Sequence, residues 1–255
     1  MKFSTDVLLI APAVMGVIFS ISRIWDAISD PIAGYLSDRT TLKFGRRRTW
    51  MLLSFIPISF GFLAVFSPPE SMQGSSLDLW MMIAILSFYL AITLFNVPHM
   101  ALGAELSEDY HERTRMMSLR YFFGWISGTV MTILMWFIFL KPTEEYPNAQ
   151  LNPEGYQTYG IVAALLMVAA MIISSLGLNK IIPELSKPAK NNNFREIKNE
   201  LKNTLLNRSF LVLFIGGIFA GMAAGFSSSL NIYFNTFFWG FSTIQIGIVS
   251  IIAVI

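Results

Sequence analysis

The chain has 255 residues, 54% hydrophobic and only 13% charged, with a net charge of +2 and a mean hydropathy of +0.57. A soluble globular domain carries about 25% charged residues, so this composition excludes one and indicates a multi-span membrane protein. The twenty-two Phe and six Trp suit lipid-facing surfaces and interfacial belts. The absence of Cys excludes disulfides, thiol catalysis and Cys-based metal sites, and no nucleic-acid partner is expected.

Hydrophobic stretches lie at 7–36, 50–67, 79–103, 117–140, 157–182, 209–235 and 243–255. The first six can each cross about 30 Å of hydrocarbon, the second only just, whereas the last is too short. The predicted fold is all-α and multi-pass, with six full transmembrane helices and the start of a seventh.

The first stretch contains RIWDAISDPIAGYLSD, residues 23–38, which places Arg23, Asp26 and Asp30 in one otherwise apolar helix. At 100° per residue the three charges fall within roughly 60° of one another and share a face. A charge at bilayer depth costs about 2.5–3.5 kcal/mol even on the lenient insertion scale. Three together are tolerable if they face protein or water and offset each other. Asp26 and Asp30 are four apart, so their carboxylates can converge on one ion. Without an ion they would repel, and one would take a proton. The pair is therefore expected to bind Na⁺ or H⁺, with Arg23 as charge partner, and Pro31 frees a backbone carbonyl beside it. Two alternatives stay open: a structural Arg23–aspartate pair, and a position nearer the interface, since Asp30 lies only about 12 Å along the helix from Asp38.

The segment 38–50 holds Arg39, Lys43, Arg46, Arg47 and Arg48. On the third stretch Thr93, Asn96 and Met100 share a face close to Pro98. Thr93 can donate an oxygen to the cation and Asn96 can hydrogen-bond a polar solute. Both residue types also join neighbouring membrane helices. The loop expected over 104–116 carries Arg113 and Arg115 among four acids. Arg120 opens the fourth stretch, either as an interfacial anchor or pointing inward with its forked donors on a solute. Trp125, Trp136 and Trp239 could stack on a sugar; Trp136 and Trp239 are expected at the interface or facing lipid. Gly124 and Gly128, and the set Gly217, Gly221 and Gly225, read as helix-packing positions.

Residues 183–208 form the one candidate linker. Phe194, Ile197, Leu201 and Leu205 recur at helical spacing and predict a short amphipathic helix. Asn207-Arg208-Ser209 fits the glycosylation pattern, but chance explains it on the side where it falls. Lys and Arg crowd 38–50, 104–116 and 180–208, while alternate loops hold only Lys141. By the positive-inside rule the crowded segments are cytoplasmic. Met1 then falls outside with no signal peptide before it, and the last apolar run stops at Ile255. Both features predict a fragment lacking its first helix and most of its second half.

Gly34-Tyr-Leu-Ser-Asp38-Arg39, followed by Gly45-Arg46-Arg47-Arg48, resembles the loop motif of the major facilitator superfamily, with a few extra residues inside it. Together with RIWDAISDPIAG and NVPHMALGAELSEDYHERTRMMSLR (96–120), the chain resembles the glycoside–pentoside–hexuronide:cation symporters, the group of melibiose permease. That resemblance implies twelve helices in two halves. Residues 1–182 would then form the first bundle (helices two to six), 183–208 the cytoplasmic linker, and 209–255 the start of the second bundle. It also implies a cation site at Asp26, Asp30 and Thr93, a solute site including Asn96, Met100 and Arg120, to which Trp125 is added as a stacking aromatic, and a conformational role for Gly34, Asp38, Arg39, Gly45, Arg46 and Arg47. Asn96 and Met100 depart from that permease, which has an aspartate and a tryptophan there.

The expected function is cation-coupled symport of a sugar or glycoside across the cell membrane, with no cofactor beyond the coupling ion. Rivals are transport of a lysolipid or drug-like solute, toward which Met100 leans, or a non-transporting fragment. No nucleophile–base set or metal cluster converges, so no enzyme is expected.

Overall fold

The computed structural model describes residues 1–40, 42, 45–107, 109–177 and 206–252. The amphipathic helix expected around Phe194 to Leu205 lies outside the described residues. Among the described residues seven α-helices follow in order: α1 Pro12–Arg39, α2 Arg46–Phe66, α3 Ser75–Glu105, α4 Tyr110–Ile133, α5 Pro153–Gly177, α6 Arg208–Tyr233 and α7 Thr243–Ile252. One π-helical turn, Leu134–Phe139, continues α4, and another, Phe234–Phe238, continues α6. Five of these helical runs are long and apolar enough to cross a membrane: α2, most of α3, α4 and α6 with their π turns, and α5. At 28 residues α1 has the length, but its ionic side chains keep it below the apolarity of the others.

The helix boundaries follow from local chemistry. The expected start at residue 7 is corrected to Pro12, which opens α1 where a missing N–H costs nothing. Before it, Phe3–Val7 makes a separate π turn and Leu9 takes a positive φ of 57°, which no continuous helix accommodates. Gly45 and Gly74 precede α2 and α3 with φ of 94° and 56°, a region open to glycine. The loop expected over 104–116 is also shorter. The α3 helix runs to Glu105, and Asp109 caps α4 by accepting from the Glu112 N–H at 2.8 Å. His111, Arg113 and Arg115 therefore sit on the first turns of α4. Asn207 caps α6 by accepting from the N–H groups of Ser209 and Phe210.

The chain divides into two compact units: Met1–Pro188 with Gly247–Ile255, and Ala189–Ile246. In the first, α3 packs on both α1 and α2, and α2 packs on α5. Ile10, Met15 and Ile18 meet Leu77, Met81 and Ile85 in one apolar cluster, while Ile58, Ala91 and Met171 form another. Ser22, Ser29, Ala33 and Ser37 give α1 a buried stripe of small residues, the composition that lets membrane helices approach closely. Each serine donates back to its own helix, as Ser22 does to the Phe19 carbonyl at 2.7 Å. Gly61 brings α2 so near α3 that a Cβ there would lie 2.9 Å from the Phe88 Cα. Trp136 is not at a lipid-facing surface, contrary to expectation: it is 6% exposed, and a Cβ on Gly247 would lie 3.1 Å from its own Cβ. Trp239 is exposed. The second unit contains α6, which buries none of its residues.

Candidate functional site

The small-residue stripe of α1 packs inward, and the neighbouring stripe of Arg23, Asp26 and Asp30 borders a cavity of about 660 Å³ against α3. From α3 the cavity takes Tyr89, Thr93, Asn96 and Met100, at intervals of four, three and four, one helical face. Five predicted cation- and solute-site residues thus meet at one place: Asp26, Asp30, Thr93, Asn96 and Met100.

The two aspartates are held differently. Oδ1 of Asp30 accepts a hydrogen bond from the Thr93 hydroxyl at 2.8 Å. Thr93 is buried, whereas Asp30 is exposed to the cavity. Oδ2 of Asp26 accepts from Nη1 of Arg23 at 3.2 Å. Its other oxygen, Oδ1, is shielded and has no hydrogen-bond partner. Nη2 of Arg23 donates to the Tyr89 hydroxyl at 3.0 Å, and the guanidinium lies 4.8 Å from that ring's centroid. Arg23 thus engages one carboxylate oxygen, with 67% of its side chain exposed. Pro31 leaves the carbonyl of Ala27 without an intrahelical donor, and Pro98 does the same for Leu94. Both carbonyls sit within one turn of the carboxylates or of Thr93 in sequence.

A second cavity, about 600 Å³, is lined by Met100, Arg120, Tyr121, Gly124, Trp125 and residues further along α4. Met100 borders both cavities. Arg120 reaches across to α3: its Nη2 donates to Oδ1 of Asn96 at 3.4 Å and its Nη1 contacts the Met100 sulfur. The structure therefore turns Arg120 inward toward the cavities rather than leaving it as an anchor. Trp125 joins Arg120 and is separate from the carboxylates.

The loop-motif residues gather at the far end of α1, α2 and α3. Nε and Nη2 of Arg47 donate to Oδ1 of Asp38 at 3.1 and 2.9 Å. Nη1 of Arg47 lies 3.0 Å from Oε2 of Glu105, and Nη2 of Arg46 donates to its Oε1 at 2.6 Å. The Arg39 guanidinium lies 4.0 Å from the Tyr35 ring centroid. Gly34 sits where α1 nears α3, a Cβ there meeting Val97 at 3.6 Å.

Sequence reasoning missed Tyr89 and the role of Glu105. Tyr89 was legible as the residue four before Thr93 on the face already singled out. Glu105 read as one of four acids in a loop, and only the extension of α3 shows it to be the shared anchor of two arginines. Among the described residues no group of three His, Cys, Asp or Glu could hold a metal ion.

Comparison with known sequences bears on this arrangement. The family described as MFS/sugar transport protein matches residues 1–255. The uncharacterized symporter sll1374 of Synechocystis is 33% identical over 183 residues, covering 70% of this chain and 32% of that protein. The isoprimeverose transporter of Lactiplantibacillus pentosus is 25% identical over 68% of this chain and 35% of its own length. The sodium-dependent lysophosphatidylcholine symporter 1-A of Danio rerio is 32% identical over 51% of this chain and 25% of its own. The chain thus spans about a third or less of the length of these curated relatives. A match over every residue, on a helical framework with repeated apolar spans, places this multi-pass cell-membrane protein in the MFS/sugar transport family.

Proposed function

We propose that the protein acts as a secondary transporter that couples entry of a cation, Na⁺ or H⁺, to symport of a sugar or glycoside by alternating access. The observation that carries this reading is the α1–α3 cavity. Two carboxylates one turn apart share it with the Thr93 hydroxyl, and one shielded Asp26 oxygen has no partner. Paired carboxylates repel when both are ionised, and a bound Na⁺ or proton relieves that repulsion. The Thr93 hydroxyl spends its proton on Asp30, so its lone pairs remain to face a cation. Arg23 offsets part of the charge on Asp26 while leaving Asp30 to the ion. The solute is held beside this site by Asn96, Met100, Arg120 and Trp125.

The test is uptake by the full-length protein in proteoliposomes under an imposed Na⁺ or H⁺ gradient. Asp30→Asn abolishes gradient-driven accumulation while the protein still inserts. Undiminished accumulation by that variant refutes the site.

A lysolipid is the second reading. It is supported by the apolar Met100 at the junction of the two cavities, by exposed Tyr121 and Trp125 on α4, and by the lysophosphatidylcholine symporter among the relatives. Cation-dependent uptake of lysophosphatidylcholine with none for any glycoside decides for it.

A further inference from the structure

The turn that leads into α1 occurs twice in the chain. The π turn Phe3–Val7 is followed by Leu8 at φ −86°, ψ −6°, by Leu9 at φ 57°, and by α1 from Pro12. The π turn Phe234–Phe238 is followed by Trp239 at φ −85°, ψ −16°, by Gly240 at φ 64°, and by α7 from Thr243. Two backbone bonds bracket the positive-φ residue in each. The Leu8 N–H donates to the Phe3 carbonyl at 3.1 Å and the Ile10 N–H to the Ser4 carbonyl at 3.0 Å. Likewise the Trp239 N–H donates to the Phe234 carbonyl at 3.0 Å and the Phe241 N–H to the Asn235 carbonyl at 2.9 Å. Each is a helix C-cap closed round a left-handed residue and widened to suit a π turn.

The two copies differ at the left-handed position. Gly240 occupies it without steric cost. Leu9 does not, and it is the non-glycine residue with positive φ among the described residues. It is 83% exposed, so burial of its side chain does not offset that cost. Pro12 holds Ala11 extended at φ −57°, ψ 131°. A change of angle between the π turn and α1 therefore passes through Leu8, Leu9 and Ile10. We infer that Leu9 makes this turn a sprung joint of the transport cycle. The bonds from Leu8 and Ile10 hold it left-handed, it relaxes to negative φ when they open, and Gly240 marks the unstrained copy. Backbone strain held in place by its surroundings belongs to switch regions, and hinges are the few residues that absorb a change of φ and ψ. The place in the cycle rests on the symport reading; the strain does not.

Hydrogen exchange of the full-length protein in detergent tests the strain. A left-handed leucine lowers the closed-to-open ratio of the cap by about five- to thirtyfold. Leu9→Gly and Leu9→Asn introduce residues that adopt positive φ more readily, and both should slow exchange of the Leu8 and Ile10 amides by up to that factor. Asparagine keeps a side chain, so slowing by both variants reports relief of strain and not the freedom of glycine. Gly240→Leu should quicken exchange of the Trp239 and Phe241 amides, since nothing lies within 4 Å of a Cβ at Gly240 and only the dihedral changes in cost. Unchanged or faster exchange of Leu8 and Ile10 in both Leu9 variants overturns the strained joint. Uptake in proteoliposomes then tests its place in the cycle, with whichever of p-nitrophenyl β-D-glucoside and lysophosphatidylcholine the unaltered protein accumulates. Leu9→Gly is expected to lower the initial rate per folded transporter by about fivefold or more. Slowed exchange with an unchanged rate overturns the role in the cycle and leaves symport standing. No uptake of either solute by the unaltered protein, with Na⁺ or H⁺, removes the symport reading and the joint's place in it together, while exchange still decides the strain.

Discussion

The hydroxyl of Thr93 donates to Oδ1 of Asp30 at 2.8 Å, joining residues 63 positions apart across the α1–α3 contact. A buried hydroxyl bonded to a charged acceptor is worth about 1.5–3 kcal/mol. Thr93→Ala is expected to weaken the cation dependence of transport by about ten- to a hundredfold, whereas Thr93→Ser, which keeps the donor, stays within a few-fold. The half-saturating cation concentration for uptake checks both.

Tyr89 holds the outer side of the Arg23 guanidinium. The Arg23 side of its pair with Asp26 is 67% exposed, although Asp26 is only 21% exposed, and pairs open to solvent on one side contribute about 0–1 kcal/mol. Tyr89→Phe should therefore leave folding intact and change the half-saturating cation concentration by less than about fivefold. A complete loss of coupling would give Tyr89 a larger part than its geometry assigns.

Gly61 faces the backbone of α3 rather than a yielding side chain. Gly61→Ala is expected to lower the thermal stability of the detergent-solubilised protein, with an overpacking cost of about 1–3 kcal/mol. Gly16, with nothing within 4 Å of its virtual Cβ, provides the control, and Gly16→Ala should leave the melting temperature nearly unchanged.

Glu105 is the common acceptor for Arg46 and Arg47, whose side chains are only 14% and 10% exposed. Glu105→Gln takes the carboxylate from the poorly solvated Arg46 guanidinium and from Nη1 of Arg47, which keeps Asp38, a loss of about 1–3 kcal/mol after allowance for partial exposure. Asp38→Asn should cost less, because Asp38 is the more exposed partner and Arg47 keeps Glu105. Thermal melts of the two variants, run side by side, report the order.

Arg39 lies on Tyr35, outside both cavities. Arg39→Ala is expected to slow transport turnover more than it weakens solute binding, and a selective loss of affinity measured by equilibrium binding would contradict that.

The helical framework and the α1–α3 site were legible because both rest on periodicity. Asp26 and Asp30, like Thr93, Asn96 and Met100, recur at three- and four-residue intervals, which fix a face without knowledge of the neighbour. What periodicity cannot carry is a bond between distant positions, and so Tyr89 passed as an ordinary membrane aromatic. Helix ends were less legible for a different reason. Hydropathy falls before helicity does, so the polar turns holding Glu105 and Arg113 read as loop, although α3 runs on to Glu105 and the cap at Asp109 starts α4 ahead of Arg113. Trp136 was misplaced because tryptophan preference for interfaces is an average, and a π turn rotates that side chain into the packing around Gly247. Arg120 stood open between two roles until the reach of its side chain to Asn96 decided its direction.

Thr93 and Glu105 lie twelve positions apart on α3, about 18 Å along its axis, and each is fastened to α1 or its following loop: Thr93 to Asp30, and Glu105 through Arg47 to Asp38. These helices are consequently riveted at two heights, with Pro98 set between the rivets on α3. The two fastenings hold α3 against α1 on either side of Pro98, the lower one by way of Arg47 on α2.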